Sequence, residues 1–178
     1  MRMDKLTNQL QTALADAQSL ALGKDHNFIE PVHLLSARLE QKGGSARPLL
    51  QKAGANLPGL VTGVKSALEA LPRVTGTGGD VHLSNDLGRI LNVADKLAQK
   101  GGDTYISSEP VLLALLESKT PAGQLLQSSR VTPVALKTAN PALKVVVVLK
   151  SGGAIVVDPW LGGADAVVMA WYAGMKEG

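Results

Sequence analysis

The 178-residue sequence contains no cysteine, which excludes disulfides, thiolate nucleophiles and cysteine-based metal sites. Aromatic residues make up only 3% of the chain, and the formal net charge is +3. A nucleic-acid-binding surface needs clustered cations, often with aromatic side chains that stack on bases. The composition therefore predicts no nucleic-acid partner.

Long apolar runs are also missing. The N-terminal stretch MRMDKLTNQL is polar, unlike a secretory signal, and the run VVVVL at 145–149 is flanked by lysines. A membrane-spanning helix needs about 18 or more apolar residues. We therefore expect no membrane association and a location in the cytoplasm.

The motifs of common catalytic sites are missing too. There is no GxxxxGK[ST] loop to cradle nucleotide phosphates, and no Ser-His-Asp order with a nucleophile elbow. His26, His33 and His82 have no metal-ligand spacing around them, so we expect structural or surface roles for these histidines. The sequence predicts a protein that is not an enzyme and needs no cofactor or metal.

The chain repeats one pattern at an offset of 77 residues. The stretch FIEPVHLLSARLE at 28–40 matches YISSEPVLLALLE at 105–117 without a gap. The helix before each stretch matches as well, since Leu14, Ala17 and Leu20 correspond to Leu91, Ala94 and Leu97. Most matched positions are apolar, so what the two copies share is a plan for packing helices.

Helical periodicity fills both copies. Gly23 ends the first predicted helix, Pro31 begins the second, and Ser84 is a favourable N-cap for the fifth. The predicted fold is mainly α, with two four-helix repeats related by a pseudo-twofold axis. The predicted divisions are residues 1–72, a glycine-rich linker at 73–81, and residues 82–139, whose last helix is truncated.

The helical plan stops near Asn140-Pro141, because a proline in a helix interior costs about 3 kcal/mol. The β-branched stretches at 145–149 and 166–171 are typical of buried parallel strands. Residues 140–178 are therefore predicted to form an α/β-like fragment. Because two strands make a weak sheet, we expect poor packing there, with Trp160 and Trp171 unusually exposed.

Residues 1 to about 131 resemble the N-terminal domain of ClpB-type disaggregases, the Clp N domain. The phrases ALADAQSLALG, FIEP, GTGGD, DKLAQK and YISSE carry this resemblance. It implies a helical domain, monomeric in isolation, that binds unfolded or aggregated polypeptide. In longer family members the domain passes this substrate to ATP-driven rings, which are possible partners here as well.

The resemblance also implies a binding site on the fifth helix and the start of the sixth. It marks Val93, Leu97 and Pro110 as an apolar groove, in which Pro110 makes one wall shallower, and Thr7, Asp103 and Glu109 as polar positions. Plain structural alternatives stay open. Leu97 repeats the inward-facing Leu20, whereas Val93 aligns with the charged Asp16. Thr7 could be only a surface hydroxyl, Asp103 only a turn residue, and Glu109 only a carboxylate that complements a helix dipole.

The tail from about residue 134 is similar to a fragment of the α/β-sandwich domain of family 3 glycoside hydrolases. Its proline-tryptophan and alanine-tryptophan-tyrosine-x-glycine phrases carry that similarity. One alternative function is thus a truncated β-glycosidase, inactive without its catalytic barrel. A second alternative is an adaptor module that binds one folded partner.

Overall fold

The helices of the protein follow the duplicated sequence. The computed structural model describes residues 3–74, 81–139, 146–150 and 166–170. A short 3₁₀ turn at Met3–Lys5 precedes the first helix. The helices are α1 (Asn8–Gly23), α2 (Pro31–Glu40), α3 (Ala46–Lys52), α4 (Leu57–Glu69), α5 (Asn85–Lys100), α6 (Ser108–Leu116), α7 (Pro121–Ser128) and α8 (Pro133–Ala139). The strands are β1 (Phe28–Ile29), β2 (His82–Leu83), β3 (Val146–Lys150) and β4 (Ala166–Ala170).

The two repeats begin their first helices with the same cap. The Thr7 hydroxyl accepts a hydrogen bond from the Leu10 amide at 3.4 Å, and the Ser84 hydroxyl accepts one from the Leu87 amide at 3.1 Å. Each bond satisfies an amide that has no partner within its own helix. Thr7 and Ser84 stand 77 residues apart, so the sequence repeat is also a structural repeat, and the predicted N-cap at Ser84 is confirmed.

A proline sets the start of α2 as predicted. Pro31 opens α2, where the missing amide hydrogen of proline removes no helical bond. The last helix of the second repeat ends at Ala139 after seven residues, whereas its counterpart α4 has 13. The truncation before Asn140-Pro141 stays a prediction, because residues 140–145 lie outside those described.

Short backbone pairings cross between the repeats in a reciprocal way. The segment before α5 pairs in parallel with the segment before α2, with Leu83 in register with Ile29. The segment before α1 pairs in parallel with the segment before α6, through a bridge between Leu6 and Ile106. Leu6 and Leu83 are repeat counterparts, as are Ile29 and Ile106. We call the segment before the first helix of each repeat its entry segment. Each entry segment pairs with the other repeat, as a pseudo-twofold arrangement requires.

Helix packing repeats this exchange. In addition to the packing within each repeat, α3 packs against α8 and α4 against α7. Since α7 and α8 are the counterparts of α3 and α4, the two contacts are related by the same pseudo-twofold. One continuous apolar core results, and it draws on all eight helices. Burying that core is the main stabilising contribution to the fold.

A buried cation also crosses between the repeats. Arg38 on α2 is only 1% exposed and donates a hydrogen bond to the Ser108 hydroxyl at the start of α6. Burial lowers the pKa of the Arg38 guanidinium. The repeat counterpart of Arg38 is the buried Leu115, so the pseudo-twofold does not repeat this polar contact.

The chain divides into two compact units, Met1–Ala139 and Asn140–Gly178. In the second unit, β3 and β4 pair in parallel, with Val146 opposite Ala166 and Lys150 opposite Ala170. The prediction of parallel strands in the tail is confirmed, with bounds shifted by one residue. Most of the predicted glycine-rich linker at 73–81 lies outside the described residues, as do Trp160 and Trp171, whose exposure was predicted.

Candidate functional site

The crossing of backbone segments brings Thr7 to the second repeat. The Thr7 amide donates to the Ile106 carbonyl at 3.3 Å, and the Ile106 amide donates to the Lys5 carbonyl at 2.7 Å. The start of α1 therefore lies beside the loop that leads into α6. This places a residue from the beginning of the chain next to positions a hundred residues later.

An ion pair links the same segment to α5. The Lys5 ammonium lies 3.5 Å from the Asp95 carboxylate, and both side chains are about a quarter exposed. Asp95 stands between Val93 and Leu97 in the sequence of α5. The N-terminal segment, the C-terminal half of α5 and the start of α6 therefore meet in the region where the resemblance predicts an apolar groove. We call this region the α5–α6 groove.

Val93 and Leu97 occupy different positions on α5. The buried face of the helix is formed by Leu87, Ile90, Leu91, Ala94 and Ala98. Val93 lies outside that face with 40% of its surface exposed, as its alignment with Asp16 predicts. Leu97 is half-buried and packs against the core from the edge. Leu97 thus combines a packing role with a partly accessible surface.

The predicted residues near α6 differ in accessibility. Asp103 is exposed in the turn after α5, and Glu109 is half-buried in the first turn of α6. Pro110 is buried, together with Val111 and the rest of that helix. The expectation that Pro110 forms a shallow open wall is therefore wrong, because α6 is covered almost from its start. Pro110 can only underlie the groove.

An exposed aromatic residue in this region was missed by the sequence reasoning. Tyr105 directly precedes Ile106 and is 56% exposed. Its repeat counterpart, Phe28, is 50% exposed. The chain has only five aromatic residues, so two ring side chains at matching positions of the repeats were a usable signal.

Two histidines that looked unrelated in the sequence form a buried pair. His26 Nδ1 lies 2.8 Å from His33 Nε2, and His33 Nδ1 accepts the Glu30 amide at 2.9 Å. Because His33 Nδ1 accepts a hydrogen bond, the proton of this neutral ring is on Nε2, which donates a hydrogen bond to His26 Nδ1. Burial, and after it the neighbouring His26, lower the pKa of His33 to about 4. Burial also lowers the pKa of His26, so both rings are neutral at pH 7.

The histidine pair has a structural role, because it ties the turn after α1 to the start of α2. Among the described residues, no group of three or more His, Cys, Asp or Glu side chains could hold a metal ion. Within the same ranges, no helix is long and apolar enough to cross a membrane.

Comparison with known proteins gives a family match over most of the chain. The profile of the Clp repeat (R) N-terminal domain matches residues 5–129. The ClpB chaperone protein of Pseudomonas putida is 50% identical over 158 residues, or 89% of this chain. That of Vibrio cholerae is 45% identical over 159 residues, again 89%. The chain spans only 18% of the length of each of these two relatives.

Solved structures share the fold. The N-terminal domain of the ClpV1 ATPase from the E. coli EAEC Sci1 T6SS has a TM-score of 0.66 at 25% identity, covering 79% of this chain and 86% of that one. The Hsp104 N-terminal domain from Candida albicans has a TM-score of 0.66 at 21% identity, covering 76% and 88%. A ClpV N-domain in complex with a VipB peptide has a TM-score of 0.57 at 22% identity, covering 71% and 79%.

The suggested glycosidase tail finds no support in these comparisons. The family profile ends at residue 129. The match to the Pseudomonas relative covers 89% of the chain, so it passes residue 139 wherever it begins. The similarity to Clp-type chaperones thus continues into the segment where the sequence suggested a hydrolase fragment.

Proposed function

The chain belongs to the Clp repeat N-terminal domain family, and from this membership we propose that it recognises the clients of a ClpB-type disaggregase. In this proposal the α5–α6 groove binds unfolded or aggregated polypeptide through apolar contacts. The clients share misplaced hydrophobic surface and no common sequence, so an accessible apolar site is the feature that can recognise them all.

The exposed Val93 is the observation that carries the proposal. Val93 has 40% of its surface in water. Covering it with a client side chain favours binding by about 25 cal/mol per Å² of apolar area buried. Leu97 extends the same surface toward the core. In the other repeat the position of Val93 is occupied by Asp16, so the apolar surface does not follow from the shared packing plan.

The small size of the apolar surface favours weak binding. Exposed Asp103 and half-buried Glu109 add a polar rim. Weak binding suits a domain that must release its client, since association also costs the freedom of both partners. We propose that the domain acts in the cytoplasm by binding alone, without ATPase activity in this chain, and that ATP-driven rings of a longer protein would take over the client.

Paired valine substitutions test the proposal. Val93→Asp and Val134→Asp make the same change at exposed positions on α5 and α8, which are 40% and 75% exposed. Binding of reduced, alkylated α-lactalbumin, a permanently unfolded probe, is measured by fluorescence anisotropy. Val93→Asp should weaken binding about tenfold, because the new carboxylate must lose water when the client docks. Val134→Asp should change it less than twofold.

Equal effects of the two substitutions would contradict the proposed groove. Leu97→Asp provides a second variant, and we expect weaker binding from it with helical circular dichroism retained. Loss of helicity in Leu97→Asp would assign Leu97 to the core alone, and the Val93 comparison would still decide the proposal.

A second candidate function is binding of one specific adaptor or partner protein. It is favoured by the structural likeness to a ClpV N-domain in complex with a VipB peptide. Competition separates the two candidates. Several unrelated unfolded proteins should displace one another from a general client site, whereas a site for one partner should discriminate strongly among them.

A further inference from the structure

A pocket of about 500 Å³ lies between α1 and α2, which we call the α1–α2 pocket. Leu20 and Ala37 supply an apolar floor, where Ala37 is 6% exposed and Leu20 is half-buried. Asp16 and Glu40 stand on the rim as exposed carboxylates. The pocket therefore combines an apolar base with acidic edges.

The acidic groups of this pocket are not neutralised by their neighbours. Among the ion pairs of the described residues, none involves Asp16 or Glu40, although Lys42 lines the same pocket. The helix α2 ends at Glu40, and the last carbonyls of a helix have no amide partner within it. These carbonyls carry the negative end of the helix dipole and attract cations.

One wall of the α1–α2 pocket is fixed in place by hydrogen bonds. Gln41, directly after α2, accepts a bond from the Arg38 guanidinium at 2.5 Å. The Gln41 amide nitrogen donates to the Gln9 carbonyl on α1 at 2.9 Å. These two bonds join α1 to the end of α2 through the half-buried Gln41 side chain. A site held in this way loses little entropy when a ligand enters.

The duplication shows that this pocket and its counterpart positions in the second repeat, which include Val93 and Leu97 of the α5–α6 groove, have diverged from one framework. Leu20 and Leu97 are repeat counterparts and keep the same apolar role. The charges differ, because Asp16 corresponds to Val93 and Thr12 corresponds to Arg89. The first repeat thus presents two carboxylates with one lysine, whereas the equivalent positions of the second present Arg89 and Lys119 with one carboxylate, Glu117.

We propose that the α1–α2 pocket is a second polypeptide subsite, which binds a lysine or arginine side chain of the client. The aliphatic stem of that side chain would lie on Leu20 and Ala37, as long basic side chains do on apolar surfaces. Its charged end would meet Asp16, Glu40 and the last carbonyls of α2. The proposal deepens the proposed function by naming the client chemistry that the first repeat selects, and in that respect rests on it.

Three labelled peptides of equal length test the subsite on the full chain. Their flexible Gly-Ser sequences differ only in a Leu-Lys-Leu, Leu-Gln-Leu or Leu-Glu-Leu centre. The double variant Asp16→Asn/Glu40→Gln removes both carboxylates with little change in shape. The matched control, Asp86→Asn/Glu117→Gln, removes two exposed carboxylates from the second repeat, including the counterpart of Glu40. Affinities are measured by anisotropy at low and physiological salt.

The wild-type chain should bind the lysine peptide about five- to tenfold more tightly than the glutamine peptide, and the glutamate peptide least. The pocket variant should abolish that preference, and the control variant should keep it within twofold. Equal affinities of the wild-type chain for the lysine and glutamine peptides would overturn the subsite. An equal loss of the lysine preference in the pocket variant and the control variant would also overturn it.

The outcome separates this inference from the proposed function. If Val93→Asp leaves unfolded-protein binding intact while the pocket variant loses its lysine preference, the α5–α6 groove is wrong and the subsite holds. If Val93→Asp weakens binding and the lysine preference is absent, the groove holds and the subsite is wrong.

Discussion

Leu6 and Ile106 form a parallel backbone bridge that joins the first turn of the chain to the entry of α6. Both side chains are buried, at 2% and 1% exposure. In the matching parallel contact, between Leu83 and Ile29, the second repeat supplies the entry segment and the first repeat receives it. Because each repeat completes the other, residues 3–74 and 81–139 should unfold together in one cooperative transition.

The contact at Leu6 gives the first prediction. Leu6→Ala should lower the free energy of unfolding by about 2–4 kcal/mol, because it leaves a cavity in the core. Its repeat counterpart Leu83 is 44% exposed, so Leu83→Ala should cost less than about 1 kcal/mol. Urea unfolding followed by circular dichroism measures both. Equal losses would contradict the unequal burial of the two leucines, and two separate transitions in the parent protein would contradict the reciprocal arrangement.

Two helical glycines should respond in opposite ways to alanine. A Cβ at Gly123 on α7 would collide with the Ser118 and Leu115 carbonyl oxygens. Since these are backbone atoms, Gly123→Ala should destabilise the protein by about 2 kcal/mol. A Cβ at Gly88 on α5 would meet only a Leu83 methyl at 3.9 Å. Gly88→Ala should therefore stabilise it by about 0.5–1 kcal/mol, and thermal unfolding checks both signs.

The buried histidine pair predicts a pH dependence of stability. The pKa of His33 is about 4 in the folded protein and 6.5 in the unfolded chain. Between these values the unfolded state binds an extra proton, so the unfolding free energy falls as pH falls from 6.5 to about 4. The loss from His33 is at most about 3.5 kcal/mol, since one pKa unit corresponds to about 1.4 kcal/mol.

Replacement of His33 isolates this contribution from that of the carboxylates. His33→Gln removes the titrating ring, so the loss of stability between about pH 7 and about pH 4.5 should be smaller than in the parent by about 2 kcal/mol. His82→Gln is the control, because His82 is exposed on β2. An unchanged pH dependence in His33→Gln would show that His33 does not remain neutral on folding.

Much of the helical architecture could be predicted from the sequence, because its signals are local. Apolar periodicity located the helices, and Ser84 and Pro31 marked two of their starts. The offset of 77 revealed the duplication. Val93 was placed off the core face by its alignment with a charged residue, and it is exposed.

Other features depend on contacts between distant residues and left no local signal. Two-residue strands are too short to show alternation, so the exchange of entry segments was not predicted. The burial of Pro110 follows from the packing around α6 and cannot be read from proline itself. The contact between His26 and His33 forms because a turn folds back onto the start of α2. Arg38 is buried where the repeat counterpart is leucine, and no local pattern distinguishes such a charge from an exposed one.

Mapping a bound client onto the domain tests the central claim most directly. Amide chemical shifts of the isotopically labelled chain are followed by NMR while unfolded, alkylated α-lactalbumin is added. We predict that the largest changes fall on the second half of α5 around Val93 and Leu97 and on the start of α6. Saturable changes confined to other helices, with α5 unaffected, would contradict the account.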